Sequence, residues 1–146
     1  MLVNDTNLTT IWVDENNQKI KIIDQRLLPH ELSIVTLNSV KDVEFAIREM
    51  QVRGAPLIGV TAAFGMYVAA LEDSSMEFLN QAADFLIKSR PTAINLNWAV
   101  DRMMNKLSDV NSDKILEIAL KEAKEICEED IKFCEKIGLY GLKIIE

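Results

Sequence analysis

The run Arg53-Gly54-Ala55-Pro56-Leu57-Ile58-Gly59-Val60-Thr61-Ala62-Ala63-Phe64-Gly65-Met66-Tyr67-Val68-Ala69-Ala70-Leu71 decides how the rest of the chain is read. From Ala55 to Leu71 it is apolar nearly all round. A helix without a polar face must be covered on most sides, so this segment predicts the centre of a helical bundle. It falls short of the roughly 20 residues that cross a bilayer, and Gly59, Thr61 and Gly65 interrupt it, so a core helix is expected rather than a membrane span. Each glycine costs a helix about 1 kcal/mol relative to alanine. Two of them here point to close approach of a neighbouring helix or a ligand.

Outward from this segment the pattern stays helical. Upstream, Ser39-Val40-Lys41-Asp42 has the side chains of an N-terminal capping arrangement. Val43, Ala46, Ile47 and Met50 then share one face, predicting a helix from Ser39 to about Arg53-Gly54. Downstream, Ser74 with Glu77 repeats the capping pattern before a helix to about Lys88. Arg90-Pro91 ends that one, because a residue before proline is pushed away from helical angles. Further helices are expected over 93–107 and, after the polar turn 109–113, along a charged amphipathic stretch that Gly138 and Gly141 interrupt near its end.

The first forty residues have a different period. Thr9-Thr10-Ile11-Trp12-Val13 is rich in β-branched and aromatic residues. Asp14 to Gln18 supplies turn chemistry, and Lys19-Ile20-Lys21-Ile22-Ile23 begins with alternation, so the pair predicts a hairpin. Ser33-Ile34-Val35-Thr36-Leu37 predicts a third strand. The expected architecture is one α+β domain over 1–146: a small N-terminal antiparallel sheet of about three strands (1–38), then a mainly helical bundle (39–146).

Composition narrows the function. With 49% hydrophobic and 27% charged residues, this is the composition of a globular chain able to bury a core. A formal net charge of −7 leaves no basic surplus for nucleic acid. Met1 to Thr10 lacks the basic head and apolar run of a signal peptide, so a cytoplasmic location without membrane attachment is expected. One histidine, His30, sits in a turn after Pro29. Cys127 and Cys134 read as reduced thiols packed on a helix. No residue spacing suggests a metal, and no cofactor is expected.

An acidic chain can still bind a small anion locally. Val52-Arg53-Gly54-Ala55-Pro56 sets a cation and a glycine at the mouth of a helix, where free N–H groups and the helix dipole favour negative charge. Ser89-Arg90-Pro91-Thr92-Ala93 repeats that logic. Each alone reads rather as a surface arginine beside a helix-starting proline, but two arginines so placed could converge on one phosphate through bidentate hydrogen bonds. Trp12 and Trp98 read as core or domain-interface aromatics. Asp101 and Arg102 could pair with each other but read rather as solvated helix charge, and the run Glu128-Glu129-Asp130 as a solvated acidic face.

These segments carry a resemblance. The run from Val52 to Met66, the run from Arg90 to Met103 and the element Asp24-Gln25-Arg26-Leu27-Leu28-Pro29 together resemble the methylthioribose-1-phosphate isomerase family. The match covers most of residues 20–105. It implies an aldose–ketose isomerase of methionine salvage that converts methylthioribose 1-phosphate to methylthioribulose 1-phosphate. The anomeric phosphate blocks simple ring opening, so such an enzyme needs a site that shuts out water. The resemblance implies substrate binding by Arg53, Gly54, Ala55 and Arg90. It implies catalysis by a cysteine, in a Cys-Asn-x-Gly segment, and an aspartate of a C-terminal Rossmann-like domain. That domain is expected to be absent here, since neither Cys127 nor Cys134 fits the segment, and 138–146 resembles the stretch just before it. Its absence implies that the chain alone is inactive, that the second domain is a partner, and that the homodimer contact of full-length members lies there. It also leaves the Ala55–Leu71 region with an exposed apolar side. Isomerases of ribose 1,5-bisphosphate or 5-deoxyribose 1-phosphate share the architecture. So do the regulatory subunits of the initiation factor 2B exchange complex, which act through protein contacts.

Overall fold

The computed structural model describes residues 2–3, 6–16 and 18–145, the first two pairs in backbone only. Asn17 of the expected turn, with Met1, Asn4, Asp5 and Glu146, lies outside the described residues. Two short strands that the residue pattern did not predict, β1 (Leu2–Val3) and β2 (Thr6–Asn7), pair antiparallel. The predicted hairpin forms from β3 (Ile11–Asp14) and β4 (Lys19–Ile23), and β5 (Ile34–Leu37) completes a three-stranded antiparallel sheet in the order β3-β4-β5. Alternation sets the register: Ile11 faces Ile22, and Ile20 faces both Val13 and Leu37. Ile11, Ile20, Ile22 and Leu37 are thereby buried in the core that the helices share. Lys21, pointing the other way, pairs with Asp14 at 2.7 Å.

Five helices come after the sheet: α1 (Val40–Arg48), α2 (Ala55–Glu72), α3 (Met76–Ser89), α4 (Ile94–Leu107) and α5 (Ile115–Ile145). The Ser39–Asp42 capping box is present, with both reciprocal bonds made. The cap of α3 is Ser75 rather than Ser74. Its hydroxyl accepts from Phe78 N–H, while Asp73 accepts from the Ser75 N–H and turns the chain one residue later than expected.

α2 is the centre of the bundle, touching α1, α3, α4 and α5. By length and composition alone it could cross a membrane, yet 72% of it is buried within the fold. Both of its interior glycines mark helix contacts. A Cβ on Gly59 would stand 2.8 Å from the Asn95 carbonyl oxygen of α4, and one on Gly65 would stand 2.7 Å from Val43 of α1. The exposed apolar side expected on this helix is instead carried by α4 and α5.

α1 ends five residues before its expected boundary. Glu49 caps it, and Met50 adopts φ 59°, the left-handed angle on which helices commonly stop. Met50 is therefore turned out to solvent rather than onto the Val43–Ile47 face. α5 departs in the other direction, running unbroken through Gly138 and Gly141. A single glycine weakens a helix without removing any hydrogen bond from its ladder. The first half of α5 buries Ile115, Ala119, Ala123 and Ile126, whereas Phe133, Ile137 and Tyr140 beyond it are exposed.

The Gly59 contact yields a direct test. Gly59→Ala should lower stability by up to roughly 2 kcal/mol, the overpacking cost of about 1–3 kcal/mol being set against a gain of about 1 kcal/mol in helix propensity. Equilibrium urea unfolding measures it; a stabilised variant would show that the two backbones are not in contact.

Candidate active site

Helix N-termini leave unpaired N–H groups that proteins ordinarily satisfy with a cap or a nearby carboxylate. α1 has both: Asp42 in its first turn, and Glu72 accepting from Val40 N–H at 2.6 Å. α3 has Ser75 and Glu77, and α5 has Glu117. α2 and α4 have neither a side-chain cap nor an acidic residue in the first turn. In a chain of net charge −7, these two α-helices are the ones among the described residues with no acidic residue in the first turn.

Their N-termini open onto one cleft of about 280 Å³, lined by Gly54, Ala55, Ile58, Arg90, Thr92 and Asn95 among others. The close approach at Gly59 brings the two mouths together. Gly54, the residue before α2, has φ 99°, an angle open to glycine and strained for other residues. Arg90 is half-buried, and its side chain makes no ion pair or hydrogen bond among the described residues. Arg26, Arg48 and Arg102 each pair with carboxylates. The cleft thus gathers a guanidinium without a counterion and two uncapped helix ends.

Of the four residues expected to bind substrate, the fold brings Gly54, Ala55 and Arg90 together. Arg53 is not among the residues that line the cleft. Its Nη2 donates to the Gln25 carbonyl oxygen at 2.7 Å.

The Asp24-Gln25-Arg26 element holds this loop, a role its residue types alone did not disclose. Gln25 N–H donates to the Gln51 carbonyl at 2.9 Å, and Gln25 Oε1 accepts from Arg53 N–H at 2.7 Å. Asp24, buried, accepts from Arg26 Nε and Nη2 at 2.9 and 2.7 Å and from Gln51 Nε2 at 2.8 Å. The Arg26 hydrogen bonds, helped by Gln51 and opposed by burial, hold the Asp24 carboxyl at about 2.

A second, more apolar groove of about 490 Å³ runs alongside, sharing Asn95 and lined by Val60, Ile94, Trp98, Phe133 and Ile137. Trp98 is 49% exposed at its rim, not in the core. Arg102 and Glu129, expected as solvated charge, are instead joined: Arg102 Nε donates to the buried Glu122 at 2.7 Å and Nη1 to Glu129 at 2.6 Å. Glu122 and Glu129 lie seven apart on one face of α5, a spacing that could have revealed the pair. Cys127 is half-buried, and burial, then Asp130 and Glu128, push its thiol up, as suits a packing residue. Cys134 is exposed rather than packed.

The Asp24 carboxyl sits below its unfolded value of 3.8, so its contribution to stability is complete above that pH and lost as pH falls towards about 2. Asp24→Asn should lower stability at neutral pH by roughly 1.5–3 kcal/mol and remove this part of the acid dependence. Urea unfolding across that range measures both; an unchanged acid slope would contradict the assignment.

Residues 51–146 match the initiation factor 2 subunit family. The methylthioribose-1-phosphate isomerase of Rhizobium meliloti (strain 1021) is 49% identical over 145 residues, which cover 99% of this chain and 40% of that protein. The crystal structure of 5-methylthioribose 1-phosphate isomerase from Pyrococcus horikoshii superposes with a TM-score of 0.84 at 34% identity, over 92% of this chain and 40% of its own. That of translation initiation factor eIF-2B, subunit delta, from A. fulgidus gives 0.78 at 36% identity, over 86% and 38%. The chain spans about 40% of the length of the curated isomerases it matches. With a match over most of its residues, the chain belongs to the initiation factor 2 subunit family.

Proposed function

We propose that this chain supplies the phosphate-binding part of an aldose–ketose isomerase site acting on methylthioribose 1-phosphate. The observation that carries the reading is the pairing of two uncapped helix N-termini with the unpaired Arg90 on one cleft. Backbone N–H groups at both mouths suit phosphate oxygens, and Arg90 adds a charged, two-pronged donor. Gly54 admits the ligand close to the backbone. The similarity to methylthioribose-1-phosphate isomerases supports the choice of sugar phosphate.

Transfer of the proton or hydride falls to the cysteine and aspartate of a second domain, as the resemblance implies. In this reading the exposed apolar residues Phe133, Ile137 and Tyr140 of α5 meet that domain, which shuts water from the cleft. A regulatory role like that of the initiation factor subunits needs no anion cleft, so the unpaired Arg90 favours the enzyme.

Isothermal titration of the folded chain with methylthioribose 1-phosphate is expected to show binding. Arg90→Ala should weaken it about tenfold or more, the effect of losing one charge-assisted hydrogen bond. Equal binding by wild type and variant would overturn the phosphate-site reading.

A further inference from the structure

We infer that Gln25 is a positioning residue of the anion cleft, acting through the main chain of Arg53. The inference rests on the reading that the cleft binds phosphate. Gln25 does not line the cleft, yet it holds the loop beside it at three points. Its N–H donates to Gln51, its carbonyl accepts from Arg53 Nη2, and its Oε1 accepts from the Arg53 N–H. Only the last of these depends on the side chain being glutamine.

That bond matters because Arg53 is joined directly to the mouth of α2. Gly54 turns at φ 99°, ψ 132° and leads straight into the helix, which no side chain caps. The direction of the first free N–H groups therefore has no local anchor. It is set by where residue 53 is held, and Gln25 Oε1 is the side-chain atom that holds its main chain. Gln25 is itself steadied by its neighbour, since Asp24 is clamped by Arg26 and joined to Gln51. A run of contacts thus leads from a buried carboxylate to the residue before Gly54 and Ala55, which line the cleft with Arg90. Preorganised donors lose affinity when their support is loosened, even where every donor remains.

The test uses the full chain and inorganic phosphate, monitored through the amide signals of Gly54, Ala55 and Ile94, with hydrogen exchange read at the Arg53 amide. Gln25→Met removes the acceptor at similar size. It should speed exchange at Arg53 and weaken phosphate binding about fivefold, while the thermal midpoint shifts little. Gln25→Glu keeps an acceptor at Oε1 and should restore slow exchange and recover the affinity, a rescue that a general loss of stability would not give. Should Gln25→Met not fold, Gln25→Asn, whose shorter arm withdraws the acceptor, is judged by the same two readouts. Wild-type phosphate affinity in the Met or Asn variant, with Arg90→Ala impaired, overturns the inference and leaves the cleft reading standing. No rescue by Gln25→Glu also overturns it. Undiminished binding by Arg90→Ala is the separate failure of the cleft reading itself.

Discussion

The approach of α4 to α2 at Gly59 is the contact on which the site depends. Helix axes ordinarily stand 8–10 Å apart, the distance being set by the side chains between them. At Gly59 no side chain intervenes, and the Asn95 carbonyl occupies space that any Cβ would need. The N-terminal ends of the two helices are therefore brought to the walls of one cleft, whereas bulkier neighbours would splay them. Gly65 instead leaves room for two side chains, Val43 of α1 and Leu86 of α3. A helix apolar on all sides can be a bundle's centre only if its neighbours come close enough to cover it, and the two glycines allow that.

Placing two positive helix ends side by side is unfavourable unless something negative answers them. Elsewhere the chain answers such ends itself: Asp42 and Glu72 at α1, Glu77 at α3 and Glu117 at α5. At α2 and α4 it does not, and it adds Arg90 in their company. The acidic surplus of the whole sequence makes the omission informative, because carboxylates were plentiful. The cleft thus carries an arginine and two uncapped helix ends in a chain whose net charge is negative.

Much of this could be read from residues alone. The apolar Ala55–Leu71 run gave the central helix, the alternation of Lys19–Ile22 gave the hairpin, and Ser39 with Asp42 gave a capping box. Arg90 and Gly54-Ala55 were singled out by the chemistry of helix mouths. What escaped depends on contacts between distant residues. The pattern of Val43 to Met50 continues helically towards Gly54, but Asp24 and Gln25, more than 25 positions upstream, hold 51–53 in another conformation. The same contact engages the Arg53 guanidinium, which the residue pattern alone had offered to a ligand. Adjacent Ser74 and Ser75 offer the same capping chemistry, and only the Asp73 turn decides between them. The helix through Gly138 and Gly141 shows the opposite error, with glycine given more weight than its cost of about 1 kcal/mol warrants.

Phosphate is expected where the two helix ends meet Arg90, and a crystal structure of the full chain with methylthioribose 1-phosphate tests this. Phosphate oxygens are expected within hydrogen-bonding distance of backbone N–H groups in the first turns of α2 and α4 and of the Arg90 guanidinium. A phosphate bound elsewhere, with Arg90 and both helix ends untouched, would contradict the claim.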